Sequence, residues 1–236
     1  MQRGSLGDEE MNKKQNEHTK GGAEERILKA ALKLFSAQGY EGTTTREIVQ
    51  EAGSSLSMLN LHYGSKEKLY DKVLERVFEV FYFSKLPFYM EILDARKEHP
   101  EDRELNRELL RRYIDMIADT VLDPKNREVV LILNREFLNQ AQDLRKIEPM
   151  LMLFMNMELL LQSCAGCRKS TAWTREFSFQ LVLSMFSHVN YPGVAEFLSM
   201  DKGEDSGQTR ALVKEYHNLS VDAVLLKYAE KSDNFS

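Results

Sequence analysis

Residues 44–66, TTREIVQEAGSSLSMLNLHYGSK, decide the fold of this chain. Thr44 followed three residues later by Glu47 forms a capping box, which predicts the start of a short helix. Gly53 breaks that helix, and Ser55 is a suitable N-cap for a second one. Two short helices joined by a tight glycine turn predict a helix-turn-helix.

Helices are also predicted on both sides of this stretch. The preceding helix carries a core stripe at the spacing i, i+3, i+4, i+7 and i+8 and is expected to end at Gly39. That stripe consists of Ile27, Ala30, Ala31, Leu34 and Phe35. Ser65 is the predicted cap of a long following helix, whose apolar stripe begins at Leu69.

The second helix of the motif has two distinct faces. The spacing i, i+3, i+4 points Leu59, His62 and Tyr63 inward. The outward set is Leu56, Ser57, Met58, Asn60 and Leu61. Met58 and Leu61 suit thymine methyl groups, and Asn60 can bond adenine through both its donor and its acceptor. These properties predict a helix that lies in the DNA major groove.

Groups that could hold phosphates flank this helix. Thr44, Thr45 and Arg46 lie at the start of the preceding helix. Lys66 lies at the start of the following helix, where it opposes the helix dipole, and an anion docked there would remove the conflict. Simple solvent exposure is the alternative interpretation of Lys66.

The region from Ala23 to Val77 resembles the DNA-binding domain of the tetracycline-repressor (TetR) family. The matching residues are Ile27 to Ala31, Leu34-Phe35, Gly39-Tyr40, Thr43-Thr44, Arg46-Glu47-Ile48, Ala52-Gly53 and His62 to Glu67. The resemblance implies an all-α protein: an N-terminal three-helix helix-turn-helix DNA-binding domain, then a larger C-terminal helical domain for ligand binding and dimerisation. It also implies a homodimer, a double-stranded DNA operator and a small-molecule effector.

The chain departs from the family pattern inside the recognition helix. Similar proteins commonly have Lys where this chain has Leu56, and Tyr where it has Asn60. Two typical backbone contacts are therefore missing, so the operator sequence of better-known members does not carry over. The candidate DNA-binding residues are Thr44, Thr45, Arg46, Ser55, Leu56, Ser57, Met58, Asn60, Leu61, His62, Tyr63 and Lys66.

The predicted domains are a flexible tail over residues 1–22, a DNA-binding domain over 23–68 and a ligand-binding and dimerisation domain over 69–236. Residues 1–22 have few large apolar side chains to bury, and their charges cancel. A DNA-touching arm is the alternative for this tail. Later helical periodicity occurs near 103–122, 125–143, 148–167, 174–198 and 207–231, separated by prolines and glycines.

Two apolar segments of the C-terminal region allow two interpretations each. The methionine-rich stretch 150–161 is either a central core helix or a pocket wall, which Met116, Phe137, Phe78, Phe81 and Tyr82 would complete. Residues 177–189, together with 223–226, form either a dimer interface or an intramolecular core. The ligand-binding residues stay unassigned.

Composition excludes several classes of protein. The chain has 32 Lys and Arg against 37 Asp and Glu, a net charge of −5, so any DNA contact must come from a local patch. No export signal or apolar stretch of membrane-spanning length is present, which predicts a cytoplasmic protein without membrane contact. Cys164 and Cys167 form a lone CxxC, read as plain thiols with redox sensing as the alternative. No catalytic residues, cofactor or metal site are predicted.

The sequence therefore predicts a homodimeric transcriptional repressor released from a palindromic operator by a small molecule. The alternative is a helical protein-interaction module that has lost specific DNA binding, which the missing Lys and Tyr would favour. An enzyme is a third possibility, disfavoured because the chain has no catalytic constellation.

Overall fold

The computed structural model describes residues 6–139, 143–167, 170–190 and 206–232, with side chains over 22–139, 143–167, 170–189 and 208–227. The described residues form α-helices and short 3₁₀ turns, with no β-strand among them. The helices are α1 (Leu6–Gly42), α2 (Thr45–Glu51), α3 (Leu56–Tyr63), α4 (Lys66–Phe81), α5 (Leu86–Glu98), α6 (Arg103–Val121), α7 (Arg127–Leu138), α8 (Glu148–Cys164), α9 (Ala172–Asn190) and α10 (Ser206–Ser232). The all-α prediction is confirmed.

The chain divides into two compact units, Met1–Arg76 and Val77–Ser236. We call them the amino-terminal and carboxy-terminal units. Their boundary lies within α4, eight residues beyond the predicted limit at 68/69, because α4 supplies core residues to the amino-terminal unit before it ends.

Helix α1 begins earlier than the sequence suggested. Its backbone is helical from Leu6, whereas order was expected only from Ala23. The predicted flexibility of residues 1–22 stays a prediction, and residues 1–5 lie outside the described residues. Gly39 interrupts the helix with a φ of 78° and a ψ of 174°, as its predicted role as a helix breaker requires.

Local capping positions the helices of the amino-terminal unit. The Glu47 amide donates to Thr44 Oγ1 at 3.2 Å and the Thr44 amide donates to Glu47 Oε2 at 2.7 Å, so the capping box is confirmed. Ser55 caps α3 by accepting from the Met58 amide at 3.2 Å, and Ser65 caps α4 in the same way. The core between these helices buries Ile27, Ala31, Phe35, Ile48, Leu59, Leu69 and Val73.

Helix α8 is the central element of the carboxy-terminal unit. It packs against α5, α6, α7 and α9 and buries Met150, Leu153, Met157 and Leu160. The core interpretation of the methionine-rich stretch is therefore confirmed. None of the described helices is long and apolar enough to cross a bilayer.

Helix α5 was not predicted. Pro87 looked like a helix breaker, yet it lies in the first turn of α5, where proline is tolerated because that amide has no helical acceptor to lose. The helix buries Tyr89 and Ile92.

Polar contacts hold α10 on α6. Lys214 Nζ lies 2.7 Å from Asp119 Oδ2, and Arg111 lies 3.3 Å from Asp222 Oδ1. Val213 and Val221, the neighbours of Lys214 and Asp222 in α10, are buried. The opposite face of α10 is left exposed.

Candidate nucleic-acid interface

A tight turn sets the angle between α2 and α3. Gly53 has a φ of 55°, a left-handed conformation that favours glycine, and its amide donates to the Gln50 carbonyl at 3.2 Å. The Ser54 amide donates to the Val49 carbonyl at 2.8 Å. Arg26 of α1 donates from Nε to the Ala52 carbonyl at 3.2 Å, which fixes the turn to the supporting helix.

The inward face of α3 is anchored on α1. Leu59 is fully buried and Tyr63 nearly so. The Tyr63 hydroxyl donates to the Glu24 carbonyl at 3.0 Å, and burial, with a smaller effect of Glu24, raises the pKa of Tyr63 to about 12. Tyr63 is therefore a structural residue of the unit, and its place among the predicted DNA contacts is wrong for its side chain, which points away from the exposed face.

His62 also lies on the inward side. Its side chain is largely buried, with Nδ1 3.8 Å from Glu24 Oε2 and Nε2 enclosed without a hydrogen-bond partner among the described residues. This position matches the i, i+3, i+4 spacing and does not support a direct base contact.

The outward face of α3 presents four exposed side chains to solvent. They are Leu56, Ser57, Asn60 and Leu61. Met58 is only partly exposed, because it lies at the edge of this face, so its predicted exposure is corrected. α3 has no Lys, Arg, Asp or Glu, so the exposed face carries no formal charge.

The groups predicted to flank this face differ in exposure. Thr44 and Arg46 are exposed and Thr45 is partly exposed. Thr44 Oγ1 also donates to Glu47 Oε2 at 2.7 Å, and Ser55 Oγ accepts from Met58, so both hydroxyls already serve as helix caps.

Lys66 has a partner that sequence reasoning missed. Its Nζ lies 4.1 Å from the centroid of the Tyr40 ring, a cation–π contact. Tyr40 packs in turn on Tyr70, with ring centroids 5.0 Å apart. Burial, then the nearby Glu67, raises the pKa of Tyr40. The ring holds the Lys66 ammonium beside the start of α4. Lys66 is therefore neither simply solvent-exposed nor in an uncompensated conflict with the helix dipole.

A family model described as "Bacterial regulatory proteins, tetR family" matches residues 27–73, which contain the whole α2–turn–α3 arrangement. The segment 27–73 is therefore similar to bacterial regulatory proteins of the tetR family. Regulators of this family bind DNA and are not enzymes, so the similarity favours a regulator over an enzyme.

Curated relatives agree with this similarity. The HTH-type transcriptional repressor NicS of Pseudomonas putida is 33% identical over 120 residues, which cover 51% of this chain and 50% of NicS. The negative transcriptional regulator IcaR of the biofilm operon icaADBC in Staphylococcus epidermidis is 37% identical over 57 residues, or 24% of this chain and 31% of IcaR. The chain thus matches about half or less of the length of these relatives.

Solved structures share the fold of this chain. The hemolysin II transcriptional regulator HlyIIR superposes with a TM-score of 0.54 at 23% identity, covering 84% of this chain and 97% of HlyIIR. A TetR-like regulator from Rhodococcus superposes with a TM-score of 0.53 at 22% identity, covering 83% of this chain and 93% of that one. At this identity the likeness concerns the fold alone.

The residues proposed to complete a pocket wall contact different partners. Met116 lines a surface groove with Phe88, whereas Phe137 packs on Phe154 at 5.6 Å between centroids. Phe81 stacks on Phe186 at 5.8 Å. Sequence spacing could not reveal these partners, because each contact joins distant segments.

Two grooves lie along α5 and α6 in the carboxy-terminal unit. One has a volume of about 510 Å³ and is lined by Lys85, Phe88, Arg112, Met116 and neighbouring residues. The other, of about 430 Å³, is lined by Met90, Asp94, Glu98, Leu105 and their neighbours. The Arg112–Glu91 ion pair, at 2.6 Å, joins the two helices between them.

The two cysteines differ in burial. Cys164 is buried, and that burial raises its pKa to about 12, so it holds little of the reactive thiolate. Cys167 is partly exposed. A buried, protonated Cys164 agrees better with plain thiols than with a redox pair.

Proposed function

We propose that this chain is a homodimeric transcriptional repressor of the cytoplasm that binds a palindromic DNA operator and leaves it when a small molecule binds. The observation that carries the proposal is the exposed, uncharged outer face of α3, held on a capped helix-turn-helix. NicS is named a repressor and IcaR a negative regulator, and these names support repression rather than activation.

Base recognition belongs to α3, and phosphate contacts belong to its flanks. The outer face of α3 consists of the four exposed residues described above, and none of them is charged. Arg46 is exposed at the start of α2, and Lys66 lies at the start of α4. Cations at the edges fix the protein on the backbone, while the central face meets the base edges.

An apolar stripe on α10 supports dimerisation. Its exposed members follow alternating spacings of four and three residues, the seam of paired helices. They are Leu212, Tyr216, Leu219, Ala223 and Leu226. The predicted interface on α9 is mostly packed within its own unit, since Leu181, Val182, Met185 and Phe186 are buried. The contact between protomers is therefore proposed to centre on α10.

A two-fold dimer places two copies of α3 on one face of the duplex. Each copy would enter a major groove, so the half-sites would lie one helical turn apart or a multiple of it. That geometry requires a palindromic operator.

Release by a ligand requires a difference in affinity between the DNA-bound and free states. The grooves of about 430 and 510 Å³ along α5 and α6 are within the size range of small-molecule sites. We propose that the effector binds in the carboxy-terminal unit.

Fluorescence anisotropy with a labelled duplex from the promoter of its own gene tests the proposal. We expect tight binding at moderate salt, much weaker binding to a scrambled duplex, and release by a compound found in a thermal-shift screen. Equal affinity for promoter and scrambled duplexes would instead support the protein-interaction alternative.

A further inference from the structure

The outer face of α3 has a definite centre. With about 100° between successive residues, Ser57 and Leu61 lie about 40° apart and opposite the buried Leu59. Asn60 lies on one side of this centre and the half-buried Met58 on the other. A base pair opposite the middle of α3 therefore meets a small hydroxyl and a large apolar side chain.

Leu61 is unusual for its exposure. Its relative exposure is 61%, against 41% for Leu56. Among the described side chains of the amino-terminal unit, these two are the large hydrophobic residues classed as exposed, and both belong to α3. Exposed apolar surface is therefore concentrated on the helix proposed to enter the groove.

The major groove offers one apolar group on an unmodified base, the 5-methyl of thymine. A leucine has no hydrogen-bonding group, so it can distinguish bases in the groove only by such apolar contact. Asn60, about 100° away round the helix, supplies hydrogen bonds to a different base edge.

We infer that Leu61 recognises the 5-methyl group of a thymine in each operator half-site. The inference rests on the proposed function, since it requires α3 to enter the major groove. It goes further by assigning part of the sequence preference to one apolar contact that involves neither charge nor hydrogen bond.

Deoxyuridine tests this contact because it differs from thymidine only in lacking the methyl group. The probe is the tightest duplex recovered by the full-length protein from a randomised library, with each thymine replaced in turn by deoxyuridine. At one thymine per half-site we expect the Kd to rise about fourfold, the equivalent of returning one buried methyl group to water.

Variants assign the effect to Leu61. Leu61→Ala should bind the thymine and deoxyuridine duplexes with equal Kd, while Leu61→Ile should retain most of the difference. Leu144→Ala is the matched control, because Leu144 is exposed to a similar extent, 65%, and lies outside the helix-turn-helix. It should keep the full fourfold difference. Unchanged thermal unfolding of each variant checks the fold, which exposed positions should preserve.

The outcomes separate the two proposals. Failure of the library to yield any preferred duplex contradicts the proposed function itself. A preferred duplex whose affinity is insensitive to every deoxyuridine overturns the methyl contact alone. A deoxyuridine effect that persists in Leu61→Ala overturns the assignment to Leu61.

Discussion

His217 is a buried histidine on α10 whose two ring nitrogens both have partners. Nδ1 donates to the Val213 carbonyl at 2.7 Å, and Nε2 lies 2.6 Å from Ser184 Oγ on α9. Burial lowers the pKa of His217, so the folded state keeps the ring neutral. In the unfolded chain the ring takes up a proton near pH 6.5. Stability from this group is therefore present above that pH and lost as pH falls below it.

We expect the free energy of unfolding to drop between pH 7.5 and pH 5.5, and His217→Gln to reduce that drop because glutamine does not titrate. Urea unfolding followed by circular dichroism at both pH values measures it. His99→Gln, at an exposed histidine, is the control and should leave the drop unchanged. Identical pH dependence in wild type and His217→Gln would contradict the prediction.

Lys66 and Asn60 illustrate two kinds of DNA contact, which substitutions should separate. Lys66→Ala removes a cation proposed to meet phosphate, so all duplexes should bind more weakly and the slope of log K against log salt should fall by about 1. Asn60→Ala should cost about 1–3 kcal/mol on the preferred duplex alone and relax base preference. Anisotropy titrations at several salt concentrations measure both.

Lys72→Ala is the matched control for Lys66, since Lys72 lies farther along α4 and is ion-paired with Glu75 at 2.8 Å. Its salt slope should equal that of wild type. A similar loss of slope in Lys72→Ala would show that the effect of Lys66 is one of net charge only.

At the scale of elements, the glycine turn between α2 and α3 determines how α3 is presented. The φ of Gly53 is 55°, and a Cβ added there would meet no atom within 4 Å. Any cost of substitution is therefore backbone strain alone. Gly53→Ala should lower the free energy of unfolding by about 1 kcal/mol, and Gly53→Asn by less, because asparagine tolerates this conformation better.

Gly22→Ala is the contrasting variant, because Gly22 lies inside the helical α1. Alanine favours a helix interior over glycine by up to about 1 kcal/mol. Urea unfolding should give effects of opposite sign at the two glycines. Destabilisation by Gly53→Asn equal to that of Gly53→Ala would contradict the account of the turn.

The elements that sequence predicted best are those fixed by local bonds. The caps of Thr44, Ser55 and Ser65 join groups three residues apart, so their signal lies within a short window. Helix α5 was missed because Pro87 fits a helix start as well as a break. The contact of Arg26 with Ala52 was missed because the two residues are far apart in sequence.

For the whole molecule, the exposed stripe of α10 predicts the oligomeric state. Leu219→Glu puts a charge in the middle of that stripe, so the protein should become monomeric and lose most of its affinity for a palindromic duplex. Light scattering after size exclusion and anisotropy measure the two effects. Leu144→Glu, at a comparably exposed leucine outside α10, is the control. A dimer retained by Leu219→Glu would contradict the proposed interface.

For the whole molecule, the sequence could not distinguish a dimer interface from an intramolecular core. Residues 177–189 are apolar on several sides, and only the packing of α9 against α7 and α8 shows that most of that surface is internal. The candidate pocket is a similar case, since Phe81 stacks on Phe186 whereas Phe137 packs on Phe154 of the methionine-rich stretch.

The measurement that tests the central claim most directly is dimethyl sulfate protection of a bound duplex that carries guanines within both half-sites, because this reagent methylates guanine N7 in the major groove. Entry of α3 from two protomers predicts two protected clusters, about 10 base pairs or a multiple of it apart. Ser57→Glu, at the centre of the outer face, should abolish both. Tight binding without any N7 protection, or with protection unchanged by Ser57→Glu, would contradict the account.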